Sequence, residues 1–144
     1  MRVVFDSNVL ARAHQRAQGP ARRALIHVTS GPDILVLSPY ILWELGRVLT
    51  YPRLLKRSGL NAGDIAEYLE TLGQIACLVT PEQVPEKLLR DPTDGPILGT
   101  ALAGQADILC TRDADLLAEN VKEFCAAKDI RVLTDLEFLE AFGA

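Results

Sequence analysis

The feature that most constrains the fold of this 144-residue chain is the alternation of short apolar runs with stretches of helical periodicity. The runs are RVVF (Arg2 to Phe5), ILVL (Ile34 to Leu37), CLV (Cys77 to Val79), ILC (Ile108 to Cys110) and RVL (Arg131 to Leu133). A strand with one wet face alternates apolar and polar residues, so unbroken apolar runs read as strands buried on both faces. Helix candidates separate them at Pro20–Thr29, Pro39–Leu49, Asn61–Leu72, Pro96–Ala103, Asp115–Ala127 and Asp135–Ala141. Strand alternating with helix predicts an α/β fold, a parallel sheet with helices on both faces. Boundary residues agree: Ser38-Pro39 places an N-cap before proline at the first helical position, and Thr134 with Glu137 forms a capping box. Between Leu49 and Cys77 the pattern holds only helices, an insertion between the second and third strands.

Composition is that of one globular domain, with 49% hydrophobic and 24% charged residues, and no repeat, low-complexity stretch or linker divides residues 1–144. A chain this long buries roughly 70% of its unfolded surface, enough for a core without disulfides or a structural metal. Cys77, Cys110 and Cys125 are odd in number and lack CxxC spacing, as expected of core thiols in a reducing compartment. Only Val3, Val4 and Phe5 lie between Arg2 and Asp6, too short for a signal-peptide core, and no apolar run approaches the roughly 20 residues of a membrane span. The expected location is cytoplasmic.

A formal charge of −4 argues against a non-specific DNA coat protein. The average conceals two halves of opposite sign. Residues 1–57 carry nine Lys/Arg against three Asp/Glu, whereas the remainder carries six against sixteen. A polyanion track beside an acidic cation site has this pattern, and so do two differently charged solvated surfaces.

In an open parallel sheet, ligands bind beyond the carboxyl ends of the strands where strand order reverses. Asp6 follows the first strand directly, in DSNVL, and Asp113 follows the fourth, in TRDADLL. Both point into one crevice if those strands are neighbours. Asp94, in DPTDGPIL, precedes the helix leading to the fourth strand; like Asp91, Asp113 and Asp115 it also suits a helix cap or turn. In PYILWELGRVL, residues Ile41, Leu42, Leu45, Val48 and Leu49 form one apolar arc, with Glu44 at its edge. A carboxylate there needs a partner, and Arg47 or Lys56 would serve. Crowded carboxylates otherwise hold protons or a cation, and oxygen-only ligands select hard ions such as magnesium or manganese. His14 and His27 lie in the basic segment and do not make a zinc set.

These motifs resemble those of PIN-domain proteins, in particular the single-domain branch that includes VapC-type toxins. The resemblance is carried by DSNVL (Asp6–Leu10), SPYILWELGRVL (Ser38–Leu49), DPTDGPILGTAL (Asp91–Leu102) and ADILCTRDADLL (Ala106–Leu117), in that order along most of the chain. It implies a three-layer α/β/α sandwich with strand order 3-2-1-4-5 and a metal-dependent ribonuclease. Asp6, Glu44, Asp94 and Asp113 match the family's acidic metal-binding set, Asn8, Thr111 and Asp115 its supporting polar positions, and Asp91 an outer position. Arg112 stands where many relatives have glycine, and Gly95 where they have an acid or amide. The resemblance further implies magnesium or manganese, an RNA substrate, a cognate antitoxin and a homodimer. Arg12, Arg16, Arg47 and Arg112 are the candidate RNA contacts; Arg53 and Lys56 belong to the same basic stretch. The rival expectation is a catalytically silent module that binds RNA or protein on the same fold. Aspartate-based phosphatases and receiver domains fit less well, because Asn8 and Thr80-Pro81 stand where those need acids.

Overall fold

A computed structural model describes residues 1–143. Five parallel strands, β1 (Arg2–Phe5), β2 (Ile34–Leu37), β3 (Cys77–Leu78), β4 (Ile108–Cys110) and β5 (Arg131–Leu133), form one sheet in the order β3-β2-β1-β4-β5. Order and direction agree with the sequence reading. Eight helices accompany them: α1 (Ser7–Leu10), α2 (Pro20–Ser30), α3 (Pro39–Leu49), α4 (Pro52–Ser58), α5 (Ala62–Ile75), α6 (Gly95–Ala103), α7 (Glu119–Ala126) and α8 (Asp135–Phe142). Val3, Val4 and Phe5 of β1 and all of β4 are buried, and since successive side chains point to opposite faces, helices must cover both sides.

Caps fix where several helices begin. Ser38 Oγ accepts from Ile41 N at 3.3 Å and from the Thr100 hydroxyl at 2.8 Å, so one buried hydroxyl starts α3 and ties it to α6. Capping boxes start α5 at Asn61/Asp64 and α8 at Thr134/Glu137. Tyr68 on α5 donates to Leu10 O at 2.7 Å, closing the helical insertion onto α1.

Four segments depart from expectation. α7 begins at Glu119 rather than Asp115: Asp113 Oδ1 accepts from Asp115 N at 2.8 Å and Asp113 O from Leu117 N at 3.0 Å, a capped turn that does not run on into α7. Val79 lies beyond β3, although its amide still reaches Leu37 O at 2.9 Å. The short α1 and the 3₁₀ turn Pro92–Asp94 escape periodicity arguments, which need several turns of pattern. The cysteines are free, with Cys110 and Cys125 buried in the core. Among the described residues, no helix is long and apolar enough to cross a membrane.

Candidate active site

Strand register brings the first two acids together. Phe5 pairs with Cys110, and the next residue along, Asp6, donates its amide to Cys110 O at 2.9 Å. The Thr111 hydroxyl donates to Asp6 Oδ2 at 2.8 Å and accepts from Asp113 N at 3.0 Å, so a single side chain orients both carboxylate-bearing turns. Asn8 Oδ1 accepts from Arg112 N at 3.3 Å, holding the turn after β4 against α1.

Glu44 reaches this junction from α3. It pairs with neither Arg47 nor Lys56: the Ser7 hydroxyl donates to Oε1, and the Tyr40 hydroxyl lies 3.3 Å from Oε2. Ser7 Oγ also stands 3.4 Å from Asp6 Oδ1, which makes it the link between Asp6 and Glu44. Sequence reasoning missed Ser7 and Tyr40. Ser7 sits inside the DSNVL motif, and Tyr40 lies one turn before Glu44 on the same helix face, a spacing that offered the signal.

Asp94 arrives by a different route. The 3₁₀ turn Pro92–Asp94 is closed by Asp91, whose Oδ1 accepts from Thr93 N at 3.0 Å and Thr93 Oγ1 at 2.8 Å. Those bonds hold the Asp91 carboxyl below its usual range. The turn carries Asp94 inward until Oδ2 is buried with no hydrogen-bond partner. Carboxylate oxygens of Asp91, Asp94 and Asp115 lie within 4.8 Å of one another. The tightest oxygen cluster thus contains one member of the expected metal set, Asp94, with two residues expected only to support it. The charge of Asp113 acts on both Asp6 and Asp94, and that of Asp6 reaches Asp94 as well.

Electrostatics follow from that crowding. Burial raises the Asp6 carboxyl to about 6 despite the Thr111 hydrogen bond, and the charges of Glu44 and Asp113 push the same way. Asp94 rises further, to about 8, through burial and then the charge and hydrogen bonding of Asp113, with Asp91 and Asp6 adding to it. Among the described residues the ion pairs are Met1–Asp33, Arg16–Asp64 and Arg112–Asp135, so none of the six crevice carboxylates is neutralised by a basic side chain.

The sequence matches the PIN domain family over residues 2–115, which includes β1 and β4 and all six crevice carboxylates. The chain belongs to the PIN domain family. A search of curated proteins returns no match to it. PIN domains are generally nucleases, so membership supports hydrolysis of nucleic acid, and an acidic cluster able to hold a divalent cation lies where this PIN fold places its strand-order reversal.

The four candidate RNA contacts have separate surroundings. Arg12 and Arg16 line a surface hollow of about 300 Å³ with His14, Leu54, Arg57 and Ser58, and Arg16 also reaches Asp64 at 3.6 Å. Arg47 is held between Trp43 and Tyr51. Arg112 is committed to buried Asp135 through bonds of 2.9 and 3.0 Å, facing α8.

Proposed function

We propose that this PIN domain is a metal-dependent endoribonuclease, using magnesium or manganese held by Asp6, Glu44, Asp94 and Asp113, and that it is the toxin of a toxin-antitoxin pair. The observation that carries the metal site is the uncompensated charge: six carboxylates converge, two have strongly raised pKa values, Asp94 Oδ2 is buried without a partner, and no basic side chain intervenes. Carboxylates arranged this way fit a hard cation by donor type as well as by charge. Asp91 and Asp115 extend the cage around Asp94.

A bound divalent cation supplies charge neutralisation for the scissile phosphate and a water acidic enough to attack at neutral pH. The remaining work belongs to side chains. Thr111 fixes the Asp6 and Asp113 turns, Ser7 and Tyr40 fix Glu44, and each donates from a hydroxyl that cannot itself neutralise a carboxylate. Asp94, its carboxyl raised to about 8, holds a proton at neutral pH, and a cation bound there would take that proton's place. RNA as the substrate, a 5′-phosphate and 3′-hydroxyl as products, a homodimer and a small antitoxin that covers the crevice rest on the resemblance of the four motifs.

Cleavage of a mixed-sequence single-stranded RNA with magnesium, manganese or chelator, beside Asp6→Asn, tests this reading. Cutting that requires the cation and disappears in Asp6→Asn is expected. Cutting that survives chelator, or survives in the variant, overturns it. If manganese neither supports cutting nor raises the melting temperature, the silent interaction module replaces the nuclease.

A further inference from the structure

The exposed side of α3, outside the acidic crevice, carries an aromatic and cationic ladder. Trp43, the chain's one tryptophan, is 60% exposed and Tyr51 is 42% exposed. Between them the Arg47 guanidinium lies 5.3 Å from the Trp43 ring centre and 5.7 Å from that of Tyr51, and donates to the Tyr51 hydroxyl at 2.5 Å. Arg47 has no carboxylate partner among the described residues. At its other end the ladder continues through Tyr40, whose ring is 5.8 Å from Trp43 and whose hydroxyl is 3.3 Å from Glu44 Oε2. A row of rings with an unneutralised guanidinium thus runs from the surface to the acidic centre.

We propose that Trp43 and Tyr51, with Arg47 between them, form a stacking platform for unpaired bases of single-stranded RNA, leading the strand over Tyr40 to the acidic centre. This rests on the ribonuclease reading for its substrate. The chemistry selects the occupant: flat rings offer stacking faces to any base, the free cation complements a phosphate backbone, and bases already paired in a duplex cannot reach the rings. A purely apolar partner would gain nothing from a charge placed mid-face, whereas a polyanion with π-faces uses both parts.

Trp43 is itself the reporter. Its fluorescence is titrated in chelator, where no cutting occurs, with a single-stranded oligoribonucleotide and with a blunt duplex of the same sequence. The expected result is saturable quenching by the single strand alone, with labelled-RNA anisotropy showing binding weakened about tenfold in Trp43→Leu and in Tyr51→Leu. Circular dichroism melts confirm that these surface variants fold. Equal quenching by duplex, binding without quenching, no binding, or unchanged affinity in both variants overturns the platform. So does a concentration-dependent emission shift of the protein alone with loss of RNA quenching, which assigns the face to protein contact. Quenching without cleavage in the magnesium or manganese assay leaves the platform standing and removes the nuclease; cleavage without quenching does the reverse.

Discussion

A carboxyl raised to about 8, as at Asp94, stays protonated in the native state where the unfolded chain, with an aspartate near 3.9, has already released its proton. The native state then binds more protons than the unfolded state between about pH 4 and pH 8, so this residue's contribution to stability falls as pH rises through that range. Asp6, raised to about 6, acts with the same sign at lower pH. His14 is lowered by burial and by Arg22 and Arg16, so it acts with the opposite sign, but only below its ordinary value of about 6.5. Burial also raises the Cys110 and Cys125 thiols, which act with the same sign as Asp94 but only where an unfolded thiol ionises, near pH 8.5 and above; between about pH 7 and pH 8 the decline is therefore assigned to Asp94. Cation-free protein should melt at a lower temperature at the upper end of that interval, and Asp94→Asn should remove most of the difference. Manganese should raise the wild-type melting temperature more at the upper end, because fewer protons must be displaced. Scanning fluorimetry at both pH values checks each part; a variant with the wild-type pH slope would place the titrating group elsewhere.

At the scale of elements, the site depends on how closely α6 approaches the segment after β3. Glu82 N donates to Gly99 O at 3.0 Å, and a Cβ on Gly99 would stand 2.1 Å from the Glu82 carbonyl oxygen. Backbone cannot yield as a side-chain tip does, so Gly99→Ala should destabilise by about 2 kcal/mol. In α5, Gly73 has Leu42 Cδ1 at 3.8 Å as the neighbour of an added Cβ, and Gly73→Ala should gain about 0.5–1 kcal/mol through lost unfolded-state freedom. Urea unfolding of the pair distinguishes close approach from a general glycine effect. The strands were legible in sequence because each is a doubly buried apolar run, and Asp6 and Asp113 were legible because they follow two of those strands. The grouping of Asp91, Asp94 and Asp115 was not: it depends on a 3₁₀ turn closed by Asp91 and on a side-chain capture of the Asp115 amide, both too short to leave a period. The link through Ser7 was hidden for another reason, since it joins α1 to α3 and exists only once they pack.

Across the whole molecule, the division of charge poses a problem for a polyanionic substrate. Sixteen of the nineteen acidic residues follow Arg57, while nine of the fifteen basic ones precede Ser58. A nucleic acid drawn to the acidic centre has to be held from the basic side, yet several of those cations are already occupied: Arg2 bonds Gly104 O at 2.6 Å, Arg22 bonds Ala13 O at 3.1 Å, and Arg16 lies 3.6 Å from Asp64. Arg12 and Arg57 have no carboxylate partner among the described residues, and they share with Arg16 the hollow between the end of α1 and α4. If a strand crosses that hollow, Arg12 and Arg16 each displace condensed counterions from a phosphate. Replacing both by alanine should then weaken binding and flatten the dependence of log affinity on log salt by about 1.4, the value for two single-strand contacts. Arg112→Ala should leave that slope unchanged, because its guanidinium faces Asp135, and should instead lower stability by about 2 kcal/mol through the charge left buried. Anisotropy of labelled RNA in chelator, over a salt series, separates these outcomes. An unchanged slope in the double variant moves the phosphate track away from the hollow, toward the side of α3 where Arg47 stands.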